Sequence, residues 1–162
     1  MPALASVKHL RDDLHKVDYS GDKGARGMLK RVLDKEKDII RAFAKEIVDS
    51  IADGRYEEIA QKVDDMQDWD VELLKEVIES FKEDNELGQI DRFDVECTFR
   101  PVYKDGSIYQ QESFYHFNDG SGIAYEYALT TDGEPNDLTL SVEFHFEGDY
   151  LKVIFESGIT VL

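Results

Sequence analysis

Apolar residues recur at helical spacing through the first half of this chain and at every second position through much of the rest. Leu4, Val7, Leu10, Leu14 and Val17 predict a short helix over residues 2–17, and the run Tyr19-Ser-Gly-Asp-Lys-Gly24 ends it. Residues 1–24 thus read as an N-terminal helix and linker ahead of one domain spanning 25–162. Leu29, Val32, Leu33, Ile40, Phe43, Ile47 and Ile51 form a stripe that predicts a helix from about 28 to 52, with Gly54 placed to terminate it. Tyr56, Ile59, Ala60, Val63 and Met66 predict a third helix of about three turns. Asp68 or Asp70 can cap a fourth, whose buried face is Val71, Leu74, Val77, Ile78 and Phe81.

After Gly88 the period becomes two. Phe93, Val95, Cys97 and Phe99 alternate with Asp94, Glu96, Thr98 and Arg100, which predicts a strand, and Pro101 puts that strand at an edge or ends it in a bulge. Asp105-Gly106 predicts a type I′ hairpin, whose register sets Cys97 opposite Phe114, Val95 opposite His116 and Thr98 opposite Ser113. The turn Asn118-Asp-Gly-Ser-Gly122 leads into a strand with Ile123, Tyr125, Tyr127 and Leu129 on one face, and Thr131 to Asp137 reads as a longer acidic loop. Leu138, Leu140, Val142, Phe144 and Phe146 then alternate strictly with polar residues. A turn at Gly148-Asp149 sets Phe146 opposite Leu151, Phe144 opposite Val153 and Val142 opposite Phe155, so the apolar faces match. Ile159 to Leu162 is a short extended end.

Helices followed by strands predict an α+β fold, with the N-terminal helices packed on one face of a curved, five-stranded antiparallel meander. The other face is expected to meet water and to carry Asp94, Glu96, Glu126, Glu143, Glu147 and Glu156 against Arg100 and Lys152.

Charge sharpens this picture. The net charge is −17, yet residues 1–52 hold 11 Lys+Arg against 9 Asp+Glu, while residues 53–162 hold 8 against 27. From Asp105 to Tyr150 there are ten acids and no Lys or Arg. A folded acidic sheet repels nucleic acid and anionic membranes and attracts basic proteins. The expected partner is therefore a basic protein, with no nucleic acid or membrane partner. The chain is expected to be a monomer or weak dimer, because two acidic faces repel. Cys97 is the single cysteine, which fits a reducing compartment. No window approaches the roughly 18 apolar residues of a membrane span, and the N-terminus lacks an apolar signal core, so a cytoplasmic location is expected.

No phosphate loop, nucleophile elbow or paired Cys/His zinc spacing occurs, so no catalytic residue, metal or cofactor is assigned. Asp64-Asp65 with Asp68 and Asp70 lacks the glycine and terminal glutamate of an EF-hand loop and reads as a solvated helix connection. Lys30, Arg31, Lys35, Lys37, Arg41 and Lys45 read as an exposed helix face, and His9 and His15 as surface residues. Two sites are expected. Glu126, Glu143, His145 and Glu147 on the open sheet face, with Asp132, Glu134 and Asp137 in the acidic loop, are candidates for binding a partner. Glu112 and His116 fall on the apolar face beside Tyr125 and Tyr127, where a carboxylate and an imidazole could act as acid and base in an enclosed pocket. A satisfied hydrogen-bond network with the tyrosines is the plainer alternative.

Helices ahead of a curved sheet, with Gly54-Arg-Tyr-Glu-Glu-Ile-Ala60 opening a short helix, resemble the NTF2-like (SnoaL-like) α+β cone. Asp137-Leu-Thr-Leu140 and Gly158-Ile-Thr-Val-Leu162 are similar to small bacterial proteins associated with toxin–immunity systems. The resemblance covers roughly residues 40–162. The first likeness implies a small-molecule binder or enzyme, in which Glu112, His116, Tyr125 and Tyr127 stand in for the cone's polar set. The second implies a cytosolic inhibitor of a partner toxin, one that is basic and possibly a nuclease.

Overall fold

The computed structural model describes residues 28–161; the helix over 2–17, the linker at 19–24, and His9 and His15 lie outside the described residues. The fold is α+β. Strand β1 (Leu29–Lys30) is followed by helices α1 (Glu36–Ala52), α2 (Tyr56–Lys62) and α3 (Val71–Asp84). Strands β2 (Glu112–His116), β3 (Gly122–Thr131), β4 (Glu134–Glu147) and β5 (Tyr150–Val161) come last. The sheet is antiparallel in the order β1-β5-β4-β3-β2, so β2 to β5 form a meander and β1 returns to its far edge.

Helix α1 is the spine of the core. Phe43, Ile40 and Ile47 are fully buried, and the Phe43 ring meets Phe144 of β4 edge-on at 5.7 Å. Tyr125, Leu140, Val142, Phe144, Leu151, Val153 and Phe155 form the opposing inner face of the sheet. The predicted pairs Phe146–Leu151 and Phe144–Val153 are present. Phe146 is only half-buried, with the Arg31 guanidinium 3.8 Å from its ring centre. Phe155 lies within a bulge, so no partner is fixed for Val142 there. α1 ends in a Schellman motif: Gly54, at φ 72°, donates to Ile51 O (3.1 Å) and Arg55 donates to Ser50 O (2.8 Å). Asp70 caps α3 by accepting from Leu73 N at 2.8 Å.

Two bulges curl the sheet into a half-barrel, one between β3 and β4 at Ala128–Thr130 and one between β4 and β5 at Ser141–Glu143. In the second, Gly158 at φ 60° lies under Trp69, and a Cβ there would sit 2.5 Å from the indole. Asp64 secures the neighbouring part of β5 by accepting from Val153 N at 2.7 Å, while Asp65 accepts from Gln67 N. The Asp64–Asp70 connection is therefore a structural clasp on β5.

The structure departs from the sequence reading in four places. Residues 28–35 are not helical: Leu29 pairs with Leu151, and Asp34 at φ 66° turns the chain before α1 begins. The third helix stops at Lys62, about two turns long, because Val63 is extended and leads into the Asp64 clasp. Phe93–Arg100 is not a strand. Its backbone donors go elsewhere, Phe93 N to Asp49 Oδ1 (2.9 Å) and Thr98 N to Gly133 O (2.8 Å), so the Cys97–Phe114 register does not form and Phe114 pairs with Tyr125. The fifth strand is β1 instead.

The fourth difference concerns the two Asp-Gly pairs. Asp132 (φ 54°) and Gly133 (φ 81°) are both left-handed, which makes them the type I′ hairpin turn. The stretch read as a long loop is thus a two-residue turn, with Thr131 paired to Glu134. At Asp105-Gly106 only Gly106 is left-handed; Gly106 N donates to Tyr103 O and Tyr103 N to Ser107 O, a type I turn with a glycine bulge.

Candidate functional site

Glu112 and His116 do point to the helix side of the sheet, but they do different things. Glu112 lies against α1, where Arg41 holds it through Nε (3.1 Å) and Nη2 (2.7 Å). The Tyr125 hydroxyl donates to its other oxygen at 2.8 Å. Burial, reinforced by the Glu112 charge, pushes the Tyr125 phenol far up; the Glu112 hydrogen bond pushes the Arg41 guanidinium up as well. Such a carboxylate is a satisfied acceptor. Tyr127 stacks on Phe93 at 5.0 Å, and burial raises its phenol too. His116 is exposed at the strand end, where it lines two open clefts, one with Asp34, Glu36, Lys37 and Asp38 and one with Asn118 and Asp119. Neither cleft reaches Glu112.

A second polar group lies where the sequence suggested an exposed helix face. Lys45 is buried and bridges Asp49 (3.1 Å) and Asp94 (2.7 Å). Asp49, also buried, receives Arg92 at 3.1 Å. Arg92 pairs with Asp53 as well, and that contact holds the Asp53 carboxyl below its ordinary range. Lys62 reaches Glu46 at 3.1 Å. These pairs bind α1 to the 91–97 segment and to α2. The i, i+4 spacing of Lys45 and Asp49 was the visible signal, but it is equally common on solvated helices.

The outer face of the sheet carries Glu126, Glu143, His145 and Glu147. Glu126 pairs across to Ser141 and Glu143 to Ala124, so the two carboxylates are diagonal neighbours on one face. Glu143 is half-buried and its Oε1 lies 2.8 Å from His145 Nε2, while the His145 ring meets Phe117. Lys152 lies opposite His145. Glu126 and Glu147 are exposed, and neither is in a salt bridge among the described residues.

Asp132, Glu134 and Asp137 cluster at the β3–β4 turn and are all exposed. Asp91 clamps this turn, accepting from Thr130 Oγ1 (2.8 Å), Gly133 N (2.8 Å) and Asp132 N (3.2 Å). Asp137, left-handed at φ 73°, lies in the β4 bulge. Among the described residues no group of His, Cys, Asp and Glu is arranged to hold a metal ion, and no helix is long and apolar enough to cross a membrane.

No curated protein and no solved structure matches the chain. A family model does, from the C-terminal end of α1 to the last residue: by its match over residues 48–162, most of its length, the chain belongs to the family described as a domain of unknown function (DUF7668).

Proposed function

We infer that this protein is a binding protein which captures a basic protein partner through its acidic surface, and that it is an immunity-type inhibitor of a basic toxin, such as a nuclease. One observation carries the reading. The cations Arg41, Lys45, Lys62 and Arg92 are consumed in pairs against the helices, whereas Glu126, Glu147, Asp132, Glu134 and Asp137 are exposed and in no salt bridge among the described residues. Unneutralised carboxylates on a hydrogen-bonded sheet raise the encounter rate with a cationic surface and lose little ordering entropy on docking. Glu112, occupied by Arg41 and Tyr125, lends no comparable support to a small-molecule enzyme.

The test has two stages. The gene directly upstream is expected to encode a large secreted protein with a C-terminal toxin domain, and co-expression of the present chain should protect cells from that domain. Association with the purified domain should slow as salt rises, since exposed charges are screened beyond about 8–10 Å. Reversal of Glu126, Glu143 and Glu147 to Lys, and separately of Asp132, Glu134 and Asp137, assigns the contact to the sheet or to the turn. Wild-type association rates and an unchanged salt slope in both triple variants would overturn electrostatic capture.

A further inference from the structure

Beside the acidic turn is a cleft of about 370 Å³ whose lining is mainly apolar. Phe99 and Tyr109, in edge-to-face contact at 5.0 Å, form one wall. Pro135 and Leu138 of β4 line it from the sheet side, and Glu134 and Asp137 add two carboxylates. Neither carboxylate has a salt bridge or hydrogen bond to another described residue. Thr139 also lines the cleft; it is buried, and its Oγ1 has no hydrogen-bond partner. A second cleft adjoins the first, sharing Glu134 and Pro135, and adds Asp132 and Glu86.

The ribbon that walls the cleft ends in an exposed apolar tip. Val102 and Ile108 are bridged across the turn, and with Tyr103 they are among the most exposed large hydrophobic residues of the described chain. Scattered apolar surface is ordinary, but three such residues on one short ribbon, next to an aromatic cleft with an acidic rim, have the composition of an interface.

We propose that this cleft receives an arginine side chain from the partner, with the ribbon tip Val102, Tyr103 and Ile108 packing on apolar residues around that arginine. The proposal rests on the reading of the protein as a captor of a basic partner, and names where and how the contact is made. Arginine fits each part of the cleft. Its aliphatic stem suits Pro135 and Ala128, its planar cation stacks on aromatic faces, and its fork of donors serves two carboxylates and a hydroxyl at once. The volume falls within the range of specific binding pockets.

The probe is the capped peptide acetyl-Leu-Arg-Leu-amide, titrated into the full chain and followed through backbone amide shifts. Saturable shifts are expected at Phe99, Tyr109, Ala128 and Thr139. The peptide with citrulline, which keeps the shape without the charge, should bind about tenfold or more weakly, the scale of a lost charged hydrogen bond. Glu134→Gln with Asp137→Asn should weaken the arginine peptide similarly while leaving the citrulline peptide unchanged. Should that variant unfold, Tyr109→Leu, which removes the phenol ring but neither carboxylate, should still weaken arginine more than citrulline. Equal binding of the two peptides overturns the proposal. Shifts confined to Glu126, Glu143 and Glu147 also overturn it, while leaving capture of a basic partner standing on the sheet face. No shift at either surface overturns it as well, and leaves capture of a basic partner to the association measurements on the two triple variants.

Discussion

Gly158→Ala separates the two forces that shape the β5 bulge. The residue sits at φ 60°, where an L side chain costs roughly 1–2 kcal/mol. The new methyl would also stand 2.5 Å from Trp69 Cε2 and 2.6 Å from Nε1, so the indole must move. Trp69 is half-buried and packs edge-on against Phe155 at 6.0 Å, a contact worth about 0.5–1.5 kcal/mol beyond its area. Together these give a loss of about 1.5–3.5 kcal/mol, a large share of the stability of an ordinary domain. Urea denaturation followed by circular dichroism should show a lower midpoint at an unchanged slope. Trp69 is the only tryptophan, so its fluorescence should also report a wetter indole before unfolding begins. In a Trp69→Leu background the obstruction is relieved and only the backbone term of about 1–2 kcal/mol should remain. An equal loss in both backgrounds would place the entire cost in the backbone and refute the packing account.

Phe144→Ala empties a fully buried site against Phe43 and should cost about 3–5 kcal/mol in the same assay. Asp91→Ala removes the clamp on the β3–β4 turn; a loss of about 2–4 kcal/mol is expected. Local hydrogen exchange at Asp132 and Gly133 should rise with it, and unchanged exchange there would mean that the turn holds itself. Stability should also fall at high pH. The native state keeps the Tyr125 phenol protonated because its folded value is raised, whereas an unfolded tyrosine loses its proton near pH 10. That contribution is complete below about pH 10 and is lost as pH climbs from there towards the folded value. Tyr125→Phe should make the alkaline slope shallower by one proton, about 1.4 kcal/mol per pH unit, and an identical slope would show that Tyr125 ionises alike in both states.

The parts of the fold that were legible in the sequence are those set by local periodicity. Strict alternation from Leu138 to Phe146, with Gly148 at the turn, fixes the β4–β5 register, because a slip by one residue would turn every phenylalanine to water. Asp70 and Gly54 mark helix ends through chemistry confined to a few neighbouring residues. The errors share a different cause. Phe93 to Phe99 alternates as well as a strand does, yet Asp49, 44 residues away, takes the Phe93 amide. The two Asp-Gly pairs look equivalent along the chain. Asp91 clamps the second from 41 and 42 residues away, while the first turns a ribbon with one isolated bridge.

The same limit governs the acids. Alternation indicates which carboxylates face outward, but not which are neutralised, because the neutralising cation can come from anywhere in the chain. Glu112 and Glu126 lie on adjacent strands. Arg41, 71 positions away on α1, claims Glu112, and no cation among the described residues reaches Glu126. A net charge of −17 is therefore not one uniform property. Some of the acids are cancelled inside the molecule by Arg41, Lys45 and Arg92, in pairs that hold α1 to the 91–97 segment and to β2. Uncancelled acids lie on the outer sheet face and, with a cleft beside them, at the β3–β4 turn. That turn places Glu134 and Asp137 next to the aromatic wall of Phe99 and Tyr109, residues that sequence alternation had assigned to an unrelated part of the sheet or left unassigned. A cleft assembled by a failed strand and a tightened loop cannot be read from either segment alone; it forms where Asp91 and the Thr98–Gly133 backbone bond join them.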